Sequence, residues 1–174
     1  MHIIIRTIVY AENEEQAILD AELVFDKICG EGKPFDYFTM FRPEDESPVS
    51  GKTRWGNIPP VCEAESEEGK KLIEEGITAT RESFMEAVEK VRNTINHYTN
   101  EQLLEENPDM FQLYCNALGQ YRGSEVYLYD FEGEGIKTKQ GLQNALNKYS
   151  SLYKEKENPY KNKKVYVVPA DAHF

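Results

Sequence analysis

The sequence predicts an α+β fold, a ferredoxin-like sandwich of one four-stranded antiparallel sheet and its covering helices. Three observations lead to this prediction: each end of the chain has a strand–helix–strand pattern, a helical segment separates the two ends, and 174 residues suit a single domain. Two such units with right-handed crossovers interleave into a split β-α-β sheet with the spatial strand order 4-1-3-2. Both crossover helices would then cover one face of the sheet.

The first half of this fold is residues 1–42. It begins with the β-branched run Ile3–Tyr10, which is typical of a strand. Asn13 followed by Gln16 three residues later indicates a helix start, and Gly30 stands where that helix should end. The second strand is predicted at Phe35–Phe41. Residues 43–65 are rich in Pro, Gly and Ser and predict an irregular loop.

A helical insertion is predicted over residues 66–119. Its clearest part is the segment 81–98, where apolar residues recur at the alternating spacings of four and three that an amphipathic helix requires. These residues are Phe84, Val88, Val91, Ile95 and Tyr98. Ser66 indicates an earlier helix start, against which Gly69 and Gly76 count. Asn107-Pro108 predicts a last helix, which ends at Gly119.

The second half, residues 124–174, repeats the pattern of the first. Ser124–Phe131 predicts a strand, and Thr138 is the candidate cap of the following helix. The run KKVYVV predicts the last strand, which Pro169 should end because proline cannot donate to a sheet ladder.

Residue alternation along the predicted strands places aliphatic side chains toward the crossover helices and a largely aromatic set on the far face. The far-face residues are Ile4, Ile8, Tyr10, Tyr127, Tyr129, Phe131 and Tyr166. A surface this apolar has to be covered. The favoured cover is the helical insertion. The alternatives are a second subunit, which would make a homodimer, and single-stranded RNA stacked on the rings.

The net charge of −11 disfavours nucleic acid as a ligand, because such a surface repels phosphate. The charge is also segregated: residues 63–106 hold twelve acidic and five basic residues, whereas residues 137–164 hold eight lysines and two glutamates. This segregation favours a protein partner, and a basic one for the acidic segment. The candidate partner-binding carboxylates at the head of that segment are Glu63, Glu65, Glu67 and Glu68.

Three widely spaced cysteines without a CxxC pair indicate neither a disulfide framework nor a structural zinc site, and free thiols suit the cytoplasm. Arg6 interrupts the only apolar run near the first residue, so no signal peptide is expected. No apolar stretch approaches the ~18 residues that would span a membrane.

The stretch SGKTRWGNIPP resembles the end of a phosphate-binding loop, but the required spacing is absent. The first glycine of that motif should stand at position 46, where the chain has Glu46, and the following residues are not expected to open a helix. Lys52, Arg54 and Trp55 are therefore candidate partner-binding residues of a surface loop. For Trp55 the favoured alternative is an anchor in the core.

One edge of the predicted sheet gathers residues that bind metals. Because the last strand runs antiparallel to the first, its end places Asp171 and His173 beside His2, and the antiparallel third strand would add Asp130. Two imidazoles and two carboxylates suit zinc or another divalent transition metal. The competing interpretation is that polar residues simply collect at strand ends, and no other cofactor is indicated.

No nucleophile elbow, zinc-protease helix or dinucleotide-binding loop occurs in the sequence. The chain is therefore expected to be a non-catalytic interaction or regulatory protein, with an acidic inhibitor of a nucleic-acid-handling protein as one variant. The two alternatives are a metal-dependent enzyme at the sheet edge and a binder of single-stranded RNA through the aromatic face.

Overall fold

The computed structural model describes residues 1–45, 47–104, 125–152 and 163–174. The chain forms two compact units, residues 1–77 with 126–174 and residues 78–125. The strands are β1 (His2–Ala11), β2 (Tyr37–Met40), β3 (Cys62–Glu63), β4 (Leu128–Tyr129) and β5 (Lys164–His173). The helices are α1 (Glu14–Ile28), α2 (Lys52–Trp55), α3 (Glu67–His97), α4 (Asn100–Leu104) and α5 (Lys139–Leu152). The helix predicted at 107–119 and most of the lysine-rich loop, residues 153–162, lie outside the described residues.

The first unit is built on a mixed five-stranded sheet in the order β2-β5-β1-β4, with β3 also paired to β5. Strand β5 is antiparallel to β1, β2 and β3, whereas β4 is parallel to β1. The predicted antiparallel ferredoxin-like sheet of order 4-1-3-2 is therefore wrong. The first half does form a split β-α-β unit, because β5 lies between the parallel strands β1 and β2.

The second half departs from the prediction because α5 lies on the other side of the sheet from α1. Helix α1 packs with Ile5 and Val9 of β1, whereas Leu142 and Leu146 of α5 pack with Ile8. Both faces of β1 are apolar, so the sheet buries helices on both sides rather than on one. Strand β4 pairs with β1 in the parallel direction.

Helix α1 forms as the sequence indicates. The Asn13 side chain accepts a hydrogen bond from the Gln16 N–H at 2.9 Å, which satisfies one of the donors left open at a helix start. One face of the helix is buried against the sheet. Its buried residues are Ala17, Ala21, Val24, Phe25 and Ile28.

Strand β5 continues through Pro169 to His173, five residues beyond its predicted end at Val168. The carbonyls of Val165 and His173 both bond toward the β3 and β2 side, to the N–H groups of Ala64 and Asp36. By the two-residue repeat of a strand, the nitrogen of Pro169 points to that same side. On that side β5 pairs with β3 as far as Val167 and with β2 from Ala170 onward, so Pro169 lies in the gap between the two partner strands. The missing N–H therefore removes no ladder bond.

The aromatic far face that the sequence predicted is not formed. Tyr129 and Tyr166 are 6% and 3% exposed and belong to the core on the α1 side, and Tyr127 and Phe131 pack against that same core. The register explains this, because Tyr129 pairs with Thr7 and Tyr166 with Val9, so all four side chains share one face. Two rings of the predicted aromatic face, Tyr129 and Tyr166, are thus buried.

Within the first unit, the first turns of α3 cover the second face of the sheet. Leu72 packs with Val167, and Ile77 with Ile8 and Leu128. Two glycines allow this close approach: a Cβ at Gly69 would lie 2.0 Å from the Glu63 carbonyl oxygen, and one at Gly76 would lie 3.1 Å from the Leu128 Cβ. Gly69 and Gly76, which lower the helix propensity of this segment, are thus the residues that let α3 pack closely on the sheet.

Arg6 is buried on this second face, with 6% of its surface exposed. Its guanidinium donates to the Ile4 carbonyl at 2.8 Å and to Glu75 of α3 at 2.9 Å, while its buried Nε has no partner. Burial lowers the pKa of Arg6, and the Glu75 carboxylate opposes that effect. The ion pair ties α3 to β1.

Cys29, at the end of α1, is a free and buried thiol. Desolvation raises its pKa to about 12, with a smaller opposing effect from Lys33.

Because only the thiolate reacts, we expect iodoacetamide to modify Cys29 at pH 8 on the order of a thousandfold more slowly than a free cysteine. The rate should keep rising with pH toward 12 rather than levelling near 9. Peptide mass spectrometry measures it, and labelling as fast as in urea-unfolded protein would contradict the burial.

The second unit is described for residues 78–104 and 125. Ser83 Oγ donates to the Glu125 carboxylate at 2.7 Å and accepts from the Glu125 N–H at 2.9 Å. Helix α4 begins with a capping box in which Thr99 and Gln102 exchange hydrogen bonds. Two residues of the predicted apolar stripe, Phe84 and Ile95, are about half exposed. None of the helices in the described ranges combines the length and apolar character that a bilayer crossing requires.

Candidate functional site: a histidine–carboxylate edge and an acidic groove

The edge of the sheet where β1 begins and β5 ends carries a buried histidine–aspartate pair. His2 lies opposite His173 in the register, and Ile4 lies opposite Asp171. The His2 Nδ1 is 3.0 Å from the Asp171 Oδ1, with the two side chains 10% and 0% exposed. A carboxylate accepts hydrogen bonds, so the His2 Nδ1 donates; in the neutral imidazole Nε2 is then the nitrogen with the lone pair.

The second oxygen of Asp171 holds the loop that precedes α2. Asp171 Oδ2 accepts the Gly51 N–H at 2.7 Å. Gly51 has a φ of +57°, and a Cβ there would lie 3.2 Å from the Thr39 side chain, so glycine suits the position. The Gly51 N–H, which belongs to the stretch that resembles a phosphate-binding loop, thus donates to a side chain of the same protein. One buried aspartate fixes both an imidazole and a loop.

A second histidine–carboxylate pair lies beside the first. His173 Nδ1 is 2.9 Å from the Asp36 Oδ2, and these side chains are 31% and 65% exposed. The Tyr37 ring stacks on the His173 ring with centres 4.8 Å apart and an angle of 8°. The His2 and His173 rings meet edge to face with centres 5.0 Å apart. Both imidazoles are therefore oriented by carboxylates and neighbouring rings.

Asp130 does not join this edge, although the sequence placed it there. Because β4 is parallel to β1 and Tyr129 pairs with Thr7, Asp130 lies level with Ile8, on the order of 20 Å from His2 along the strand. Its Oδ1 instead accepts the N–H groups of Glu132 and Glu134 and shapes the loop after β4. Across the described parts of the chain, no three His, Cys, Asp or Glu side chains group in a way that could hold a metal ion.

An acidic groove of about 530 Å³ lies elsewhere on the first unit, where α1 and α3 begin and β3 runs. We define it by four carboxylates and an apolar floor. The carboxylates are those of Glu14, Glu63, Glu65 and Glu68, and the floor includes Val61 and Cys62. The sequence singled out Glu63, Glu65 and Glu68, and the fold adds Glu14 from a distant segment. Glu67 is exposed in the first turn of α3 and is not among the lining residues.

The field in this groove is negative. Desolvation raises the pKa of the buried Cys62 thiol, and Glu68 and Glu14 raise it further because they disfavour a second negative charge. Glu63 pairs with Lys164 at 2.5 Å, and that contact raises the lysine pKa. The fully exposed Glu65 contacts Lys70 at 3.6 Å, a surface pair of little strength. The groove keeps an excess of carboxylates over cations.

The remaining candidate partner-binding residues, Lys52, Arg54 and Trp55, lie on α2, a one-turn helix inside the segment predicted to be irregular. All three are exposed. Trp55 is 37% exposed, so it is not the favoured core anchor. Arg54 Nε donates to the Val49 carbonyl at 2.9 Å, which holds the side chain against its own loop.

Several residues of these sites were not found from the sequence. Asp36 and Tyr37 belong to the run Phe35–Phe41, which predicts only a strand. They reach the histidine edge of the sheet because β2 pairs with β5. In the sequence, Gly51 stands out only through its resemblance to part of a phosphate-binding loop.

The whole chain, residues 1–174, matches one family model, a domain of unknown function (DUF7995), and the chain therefore belongs to that family. No curated protein and no solved structure shows significant similarity to it. The family carries no statement of activity, so function has to be inferred from the geometry.

Proposed function

We propose that this protein is a non-catalytic interaction module that binds a basic segment of a partner protein in the acidic groove. The observation that carries the proposal is the groove itself, about 530 Å³ with four carboxylates above an apolar floor. Lysine and arginine side chains suit such a site, because their aliphatic stems can lie on Val61 and Cys62 while their charges meet the glutamates.

The overall charge of −11 supports the same proposal, since it steers a basic partner toward the molecule from a distance. The glutamates also have a local role, because Glu14 and Glu68 lie in the first turns of α1 and α3, where negative charge stabilises a helix. Helix stabilisation does not require Glu63 and Glu65, which precede α3. The position of Glu63 and Glu65 in the groove therefore has no explanation in helix stabilisation.

The test uses a ten-residue peptide of alternating lysine and leucine as the probe. In Glu65→Lys/Glu68→Lys we expect at least a tenfold weaker affinity, measured by fluorescence anisotropy at low salt, because the variant inverts the charge of the groove wall. The control is Glu86→Lys/Glu89→Lys on α3, which has the same spacing, exposed positions and the same change in net charge.

Equal losses of affinity in the two variants would mean that the peptide responds only to net charge, and the proposed groove would then be rejected.

The finer form of the proposal is that the partner is a protein that handles nucleic acid. It predicts that the protein and a DNA oligonucleotide compete for such a partner, with binding that weakens as salt rises.

A further inference from the structure

We propose that His2 and His173 form a binding site for one divalent transition-metal ion, with Zn²⁺ as the reference ion, at the sheet edge. The site is independent of the acidic groove. It takes two ligands, the Nε2 atoms of both imidazoles, from the chain and leaves the other coordination positions to water or to a bound molecule. Positions left to water distinguish an open metal site from a structural one, in which all four ligands come from the protein.

The first support is the way in which the two rings are oriented. In metal sites a ligating histidine almost always donates its other ring nitrogen to a carboxylate or carbonyl, which sets the tautomer and the direction of the ring. Here His2 Nδ1 bonds Asp171 and His173 Nδ1 bonds Asp36, at 3.0 and 2.9 Å. In their neutral forms both rings therefore present Nε2 as the lone-pair nitrogen.

The second support is the spacing of the rings. With Zn–N bonds of about 2.0–2.1 Å and a tetrahedral angle, two imidazoles bound through Nε2 have centres about 5 Å apart. The observed separation of the His2 and His173 ring centres is 5.0 Å. Nε2 of His173 also lies 3.3 Å from the nitrogen of Met1, a contact that an ion would replace.

The third support is rigidity. Asp171 is fully buried and is held on its other oxygen by the Gly51 N–H, so the His2 ring has little freedom. The stacked Tyr37 ring limits His173 in the same way. Because the rings are already oriented, ion binding loses little conformational entropy.

The experiment is calorimetric titration of Zn²⁺ into the untagged full chain, since a polyhistidine tag would itself bind the ion. We expect one Zn²⁺ per chain, and a tetrahedral visible spectrum when Co²⁺ replaces it. Asp36→Asn should weaken binding by about 10- to 100-fold, as is usual for the carboxylate behind a ligating histidine. A tenfold excess of Mg²⁺ should not compete, because it prefers oxygen ligands.

The ligand variants are His173→Gln and His2→Asn, which keep a hydrogen-bond donor for the carboxylates but offer no imidazole. Each should lower Zn²⁺ affinity by at least tenfold, whereas His97→Ala on the exposed end of α3 should leave it unchanged. The proposal would be overturned if the wild type showed no saturable Zn²⁺ binding, or if His173→Gln bound Zn²⁺ with the same affinity as the wild type. Before titration, each metal-free variant should show the same thermal unfolding transition as the wild type, which confirms that it is folded.

Discussion

Gly69→Ala is expected to destabilise the first unit by about 3 kcal/mol. A Cβ at this position would lie 2.0 Å from the Glu63 carbonyl oxygen and 3.0 Å from the Ala64 Cα, so the backbone of α3 or of the β3 turn has to move. The same carbonyl accepts the Ser66 N–H and hydroxyl at 3.0 and 2.7 Å, which couples the strain to the helix cap. Urea unfolding followed by circular dichroism measures the effect.

Gly141→Ala provides a matched control. Both glycines are the third residue of a helix, and both donate their N–H to a capping hydroxyl at 3.0 Å, Ser66 for Gly69 and Thr138 for Gly141. A Cβ at Gly141 would meet its nearest atom at an ordinary 3.4 Å. We therefore expect this substitution to be neutral or to stabilise by up to ~1 kcal/mol through helix propensity. Similar losses in the two variants would show that α3 does not approach β3 so closely.

Asp171→Ala is expected to cost about 3–5 kcal/mol, because it leaves two buried donors, His2 Nδ1 and the Gly51 N–H, without an acceptor and opens a cavity. The loss should be visible locally as well as globally. Hydrogen exchange of the Gly51 amide should accelerate well beyond what the drop in global stability explains, since Asp171 alone holds that amide among the described residues.

Asp36→Ala is the comparison for this prediction. Its carboxylate also bonds a histidine, but it is 65% exposed, and exposed pairs contribute about 1 kcal/mol or less. A ratio of at least two between the free-energy losses of the two variants is expected. Equal small losses would mean that Asp171 is solvated in solution and that the edge pair is weaker than its burial indicates.

The elements at the two ends of the chain could be predicted because their signals are local. The Asn13 cap and the apolar face of α1 are where the sequence put them, and β1 lies antiparallel to β5 as expected. The direction of β4 could not be predicted from its own residues. Both a parallel and an antiparallel neighbour of β1 would present alternating apolar side chains, so the residues of β4 do not distinguish the two directions.

The candidate sites divide in the same way. His2, Asp171 and His173 were expected together because one antiparallel pairing is enough to align them, and the structure brings them together. Asp130 was expected at the same edge only through a second pairing, whose direction was wrong. Glu14 entered the acidic groove from a helix about fifty residues away, which no spacing in the sequence could have indicated.

The sequence by itself determined the acidic character, the capped first helix and the alternating strands, because propensity, capping and periodicity act over a few neighbouring residues. Only the tertiary structure decided which face each helix covers, in which direction β4 runs and which carboxylates converge. Those outcomes depend on contacts such as that of Gly69 with Glu63 and of Gly51 with Asp171. A close approach of two backbones has no local signature beyond the presence of a glycine.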